Sequence, residues 1–154
     1  MSGAAGPELA DKYQRMCALR ATLGRGTPSV EHKALLRALA RDFPGALREL
    51  ETLDTTELER RAATVREVAA GAPAPPWVAW VAAYHELMRR ALALRGGAPA
   101  NADEDGFATA VLSPRHGRMN VVVFSALATR FGVPAEALWE ALFPLRGSTR
   151  LHRR

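Results

Sequence analysis

The sequence predicts an all-α protein, a compact single-domain bundle of about six to eight helices. Three observations carry that prediction. Ala, Leu, Arg and Glu recur throughout, while aromatics make up only 6% of the chain; unbranched side chains lose little rotamer freedom in a helix. Apolar residues return at helical spacing in several segments, and strand-like alternation is nearly absent. A length of 154 residues with 48% hydrophobic content suits one continuous core.

The first helix is expected from Glu8 to Leu23, where Leu9, Tyr13, Met16, Cys17 and Leu23 share a face and Gly24 offers a left-handed stop. A second opens at Thr27 with Pro28 in its first turn, carries the stripe Ala34, Leu35, Ala38, Leu39, and ends near Phe43-Pro44. A short third helix spans Gly45 to Leu53. Asp54-Thr55-Thr56-Glu57 then has capping-box spacing, with Asp54 accepting the Glu57 amide and Glu57 reaching back. The helix it starts buries Leu58, Ala62, Val65, Val68 and Ala69 and stops at Gly71, after which APAPP forms a stiff corner. Pro76 to Arg95 is the strongest helical pattern, with Trp77, Trp80, Val81, Tyr84, Leu87, Met88, Ala91 and Leu92 on its inner side, and is expected at the centre of the fold. Residues 96–106 read as a loop and Phe107 to Leu112 as a short helix. Met119 to Phe131 is apolar on so many sides that it requires burial, with Val121, Val122, Val123 and Phe124 implying self-association. Gly132 breaks it, Pro134 starts a last helix through Phe143, and residues 146–154 read as a flexible basic tail appended to a 1–145 helical domain.

Charge is distributed unevenly. Residues 1–70 hold 11 Lys/Arg against 10 Asp/Glu, residues 71–112 hold 3 against 4, and residues 113–154 hold 7 against 2. The excess of the last segment favours a polyanionic partner. Cys17 is the single cysteine, so stability is expected from packing in a reducing, cytoplasmic setting. The first residues lack a secretory pattern, and the most apolar run, Trp77 to Tyr84, is far shorter than the roughly 20 residues of a membrane span. No membrane contact is expected.

Within the basic segment, Leu127 to Phe143 reads LATRFGVPAEALWEALF, with Ala128, Gly132 and Leu138 at the small, turn and inward apolar positions and Phe131 and Val133 flanking the turn. This stretch resembles the helix-turn-helix of bacterial DNA-binding proteins. A small residue lets two helices cross closely, glycine permits the turn, and the later apolar residue ties the second helix to the first. The resemblance implies DNA contact by the hairpin. Glu136 and Glu140 depart from it, since carboxylates repel phosphates, and no Arg, Asn or Gln lies between Ala135 and Leu142 to read base edges. Contacts are therefore expected from the flanks: Arg115, His116 and Arg118 before a helix N-terminus, where amides and dipole also favour anions, and Arg146, Arg150, Arg153 and Arg154 beyond the hairpin.

Other patterns are weaker. Asn101, Asp103, Asp105 and Gly106 resemble the opening of a calcium-binding EF-hand loop, but Leu112 stands where its bidentate Glu belongs. His85-Glu86 begins a zinc-protease pattern that Arg89 interrupts, and no metal or cofactor is expected. The sequence reading is thus a non-catalytic helical binding protein for nucleic acid, DNA by preference. Its alternative is a helical adaptor or assembly subunit that docks on another protein.

Overall fold

The computed structural model describes residues 5–23, 30–96 and 120–144. Among them the chain forms seven helices and no strand, as an all-α bundle should: α1 Ala5–Leu23, α2 Val30–Asp42, α3 Ala46–Thr52, α4 Thr55–Ala69, α5 Pro76–Gly96, α6 Val121–Phe131 and α7 Ala135–Leu142. The expected Gly24 stop, the Thr27-Pro28 start, the 97–119 region and the 146–154 tail lie outside the described residues.

The most extensive helix pairing joins α1 to α4. Leu9, Tyr13 and Met16 of α1 and Leu58, Ala62 and Val65 of α4 are all buried, each set at the i, i+4, i+7 spacing that lines one helical face. At one end the two backbones nearly touch: a Cβ on Gly6 would stand 3.1 Å from the Ala69 Cα. The helix begins before the expected Glu8. Pro7 is tolerated there because its missing amide falls in the first turn, where amides have no helical acceptor.

Between α2 and α3 the chain turns at Gly45, which adopts φ 93° and caps α3 rather than opening it. A Cβ at that position would lie 2.5 Å from the Tyr84 ring, so both conformation and space require glycine. Asp54 caps α4 as expected, accepting the Glu57 amide at 2.8 Å. Glu57 does not reach back; its carboxylate is taken by Arg60 and Arg61.

Helix α5 touches α1 on one side and α6 and α7 on the other. It buries Val78, Val81, Ala83, Tyr84, His85 and Ala91. Trp77, Trp80, Leu87 and Met88 are half-buried against this core, while Leu92 is 43% exposed and does not belong to it. The apolar stripe drifts because the turn spacing of 3.6 residues does not keep every apolar residue of a long helix facing inward. Another expectation changes at α6. Val123, Phe124 and Leu127 are buried within the chain's own core, whereas Val121 and Val122 are 64% and 41% exposed. Two of the four residues expected to drive self-association are therefore already covered by α5 and α7. Among the described residues no single helix is long and apolar enough to cross a membrane.

Candidate functional site

The C-terminal hairpin is built from local signals. The Asn120 side chain accepts the Val123 amide at 3.2 Å and starts α6. Gly132, at φ 66° and ψ 33°, ends it in the left-handed conformation, its amide donating to the Ala128 carbonyl. Val133 and Pro134 complete a three-residue turn, and α7 leaves at 108° to α6. Leu138 and Leu142 pin α7 to the core, followed by Phe143. The corner rests on an aromatic cluster: Tyr84 lies 5.9 Å from Phe124 and 5.4 Å from Phe143 between ring centroids.

Toward solvent the hairpin offers little positive charge. Glu136 and Ala137 are exposed on α7, and Arg130 at the end of α6 pairs with Glu86 at 3.4 Å. The seven residues expected to contact a polyanion, Arg115, His116, Arg118, Arg146, Arg150, Arg153 and Arg154, all lie outside the described residues. The described part carries 14 Lys/Arg against 13 Asp/Glu, a net charge of +1. The chain as a whole carries +5, so the cationic excess belongs almost entirely to the other segments.

Beneath the hairpin is a buried charge cluster that the sequence reading missed. The Glu49 carboxylate on α3 accepts from Lys12 Nζ at 2.5 Å, from Arg61 Nη1 at 2.7 Å and from the Tyr13 hydroxyl. Lys12, Tyr13, Glu49 and Arg61 are all at most 4% exposed. Arg61 also donates to Glu57 and, through Nη2, to the Ala141 carbonyl in the last turn of α7, and its guanidinium lies 5.2 Å from the Trp77 ring centre. One arginine thus ties α4 to α3, α5 and α7.

The electrostatics follow from dryness. Burial lowers the Lys12 pKa from 10.5 to about 8 even though Glu49 opposes the shift. Burial, reinforced by Glu49, raises the Tyr13 phenol well above 10.0, so Tyr13 stays a neutral donor. A second buried polar group, His85, donates from Nδ1 to the Pro44 carbonyl at 2.8 Å, a role that fixes its neutral tautomer. Its Nε2 has no hydrogen-bond partner, and burial holds the ring's pKa well below 6.5. His85 therefore acts as a packing residue that ties α5 to the α2–α3 turn, with Phe43 and Tyr84 edge-on to it. Cys17 is half-buried, and burial raises its thiol pKa, which disfavours the reactive thiolate. Among the described residues no group of three His, Cys, Asp or Glu is arranged to hold a metal ion.

A signal for the charge cluster did exist in the sequence. Leu9-Lys12-Tyr13-Met16, Ala46-Glu49-Leu50-Leu53 and Leu58-Arg61-Ala62-Val65 share one spacing, i, i+3, i+4, i+7, with a charge at the second position of each. Reading each stripe alone treats the charge as a surface residue. Reading the three together gives plus, minus and plus on three inward faces.

No family model, curated protein or solved structure matches this chain.

Proposed function

We propose that the chain is a non-catalytic helical protein that binds nucleic acid through the α6–α7 corner and the basic segments on either side of it. The observation that carries the reading is the corner itself: two helices at 108° joined by a three-residue turn with left-handed Gly132, the second helix anchored by buried Leu138. That crossing lies within the roughly 90–120° range of DNA-binding helix-turn-helix units. The charge placement supports it, since a nearly neutral helical body holds segments that contain most of the cationic excess. Exposed Glu136 on α7 argues for phosphate contact over base reading. Arg115, Arg118, Arg146 and the tail arginines are then the binding groups, and their replacement by alanine weakens binding alike across sequences. Anisotropy titration of labelled duplex and single-stranded DNA at low salt tests this directly. Absence of binding to both, or binding unchanged when residues 146–154 are deleted, overturns it.

A second reading is favoured by one specific observation: Val121 and Val122 stand exposed side by side at the start of α6. Adjacent exposed valines beside an acidic α7 surface suit a protein partner or a second copy of the chain. Sedimentation of wild type against Val121→Ser/Val122→Ser separates this reading from the first, because only self-association or a protein complex depends on those side chains.

A further inference from the structure

Helix α2 differs from the rest of the described surface. Lys33, Arg37 and Arg41 follow one another at four-residue intervals along its solvent side, about 6 Å of rise per step, and all three are exposed. The opposite side of the helix is buried at His32 and Leu39. The two acids of α2, Glu31 and Asp42, stand at least about a third of a turn from the centre of this row by helical periodicity. Asp42 turns toward α1, where Arg15 holds it at 3.0 Å. Arg41 touches the edge of Asp42 at 3.2 Å yet remains 75% exposed, and Lys33 and Arg37 have no ion pair among the described residues. Elsewhere Arg15 pairs with Asp11, Arg60 with Glu57, Arg89 with Glu8 and Arg130 with Glu86, and the exposed Arg66 and Arg95 stand singly, with no Lys or Arg three or four residues away to extend them into a row.

From this arrangement we infer that the α2 ridge is a second contact surface for the nucleic-acid backbone, separate from the hairpin. The inference rests on the nucleic-acid reading and extends it. Three cations in a row on a convex helix diverge, so they cannot enclose one small anion; they match an extended row of negative charges, which is what a phosphate backbone presents. A membrane-surface helix needs a broad apolar face turned outward between its cations. The buried side of α2 already faces the core; Val30 and the small Ala34 accompany the ridge, while Leu35, 51% exposed, stands on nearly the opposite side by helical periodicity, so no apolar face lies between the cations and a duplex is the better fit.

The test compares the full chain with the triple variant Lys33→Gln/Arg37→Gln/Arg41→Gln by duplex anisotropy between 50 and 200 mM salt. Circular dichroism of the variant should match the parent, since all three side chains are exposed. If each cation meets a phosphate, the log–log salt slope becomes less steep by about 2.7, and the parent loses about 40-fold more affinity than the variant over that range. An unchanged slope in the triple variant, while replacement of Arg146 and the tail arginines lowers it, overturns the ridge and leaves the hairpin reading standing. Failure of the full chain to bind any duplex removes both. Retained duplex binding with loss of binding to phosphatidylserine vesicles in the triple variant also overturns the assignment, since the ridge would then serve a lipid surface.

Discussion

The two ends of the core are held by opposite chemistry. Where α1, α3 and α4 meet, Lys12, Glu49, Tyr13 and Arg61 make a fully buried ionic cluster. Where α5, α6 and α7 meet, Tyr84, Phe124 and Phe143 make an aromatic cluster built from ring contacts, with the Arg48 guanidinium 5.5 Å from the Phe143 ring centre. Aromatic packing stabilises by removing area from water and depends on shape. A buried ion pair recovers little beyond its desolvation cost, yet it penalises heavily any arrangement that separates the partners. Arg61, which belongs to the ionic end, also donates to the Ala141 carbonyl in α7 and so joins the two. The position of the hairpin is in this way tied to the ion pairing of α3 and α4 as well as to its own aromatic contacts.

The largest effect that would sharpen this contrast is expected at Glu49. Glu49→Leu leaves Lys12 and Arg61 buried without their shared carboxylate, and a loss of about 3–5 kcal/mol is expected from urea unfolding. A loss below about 1 kcal/mol would mean that water reaches the cluster and that the two ends do not differ as described.

A somewhat smaller loss is expected at the boundary with the aromatic end. Gly45→Ala forces a left-handed alanine, costing about 1–2 kcal/mol, and drives its Cβ into the Tyr84 ring, adding about 1–3 kcal/mol. The change should also perturb near-ultraviolet tyrosine signals, because Tyr84 has to move. If unfolding midpoints for Gly45→Ala and wild type coincide, the ring is not confined by the turn.

The pH dependence reads His85 and Lys12 in separate windows, although its effect is the smallest, and the Lys12 charge adds to burial in lowering the His85 pKa. His85 has a folded pKa below its unfolded 6.5, so the unfolded chain binds the extra proton: its contribution is fully present above pH 6.5 and is lost as pH falls. Lys12, lowered from 10.5 to about 8, acts in the same direction in a higher window. Lys12 should therefore make stability rise from about pH 8 as the folded chain sheds its buried charge. The rise continues until Cys17 above about 9 and Tyr13 and Tyr84 above about 10, whose folded pKa values are raised, contribute the opposite slope. Lys12→Met should abolish that alkaline rise and leave stability at neutral pH equal or higher, because Glu49 keeps Arg61 and Tyr13. Urea midpoints measured across both windows decide the point. A rise that persists in Lys12→Met would assign it to another group.

The helices and their ends were legible because their causes are local. Asp54 and Gly71 around α4, Pro76 at the start of α5 and Gly132 at the end of α6 act through their own backbone geometry or a neighbour three residues away. The stop at Gly132 and the inward Leu138 were legible for the same reason. The fate of the apolar run Val121 to Phe124 was not. Which two of its side chains face the core depends on where α5 and α7 lie, and no spacing within the run encodes that.

By itself, then, the sequence determined an all-α chain, the ends of α4, the start of α5, the Gly132 stop of α6 and the concentration of cationic charge outside the described helical body, since each depends on residue type and short-range geometry. Only the tertiary structure decided that Lys12, Glu49 and Arg61 are core residues and that His85 bonds the α2–α3 turn. A charged side chain is stable away from water only when its partner arrives from another helix. Glu49 lies 37 residues from Lys12 and 12 from Arg61, separations that only the packing of α1, α3 and α4 can close.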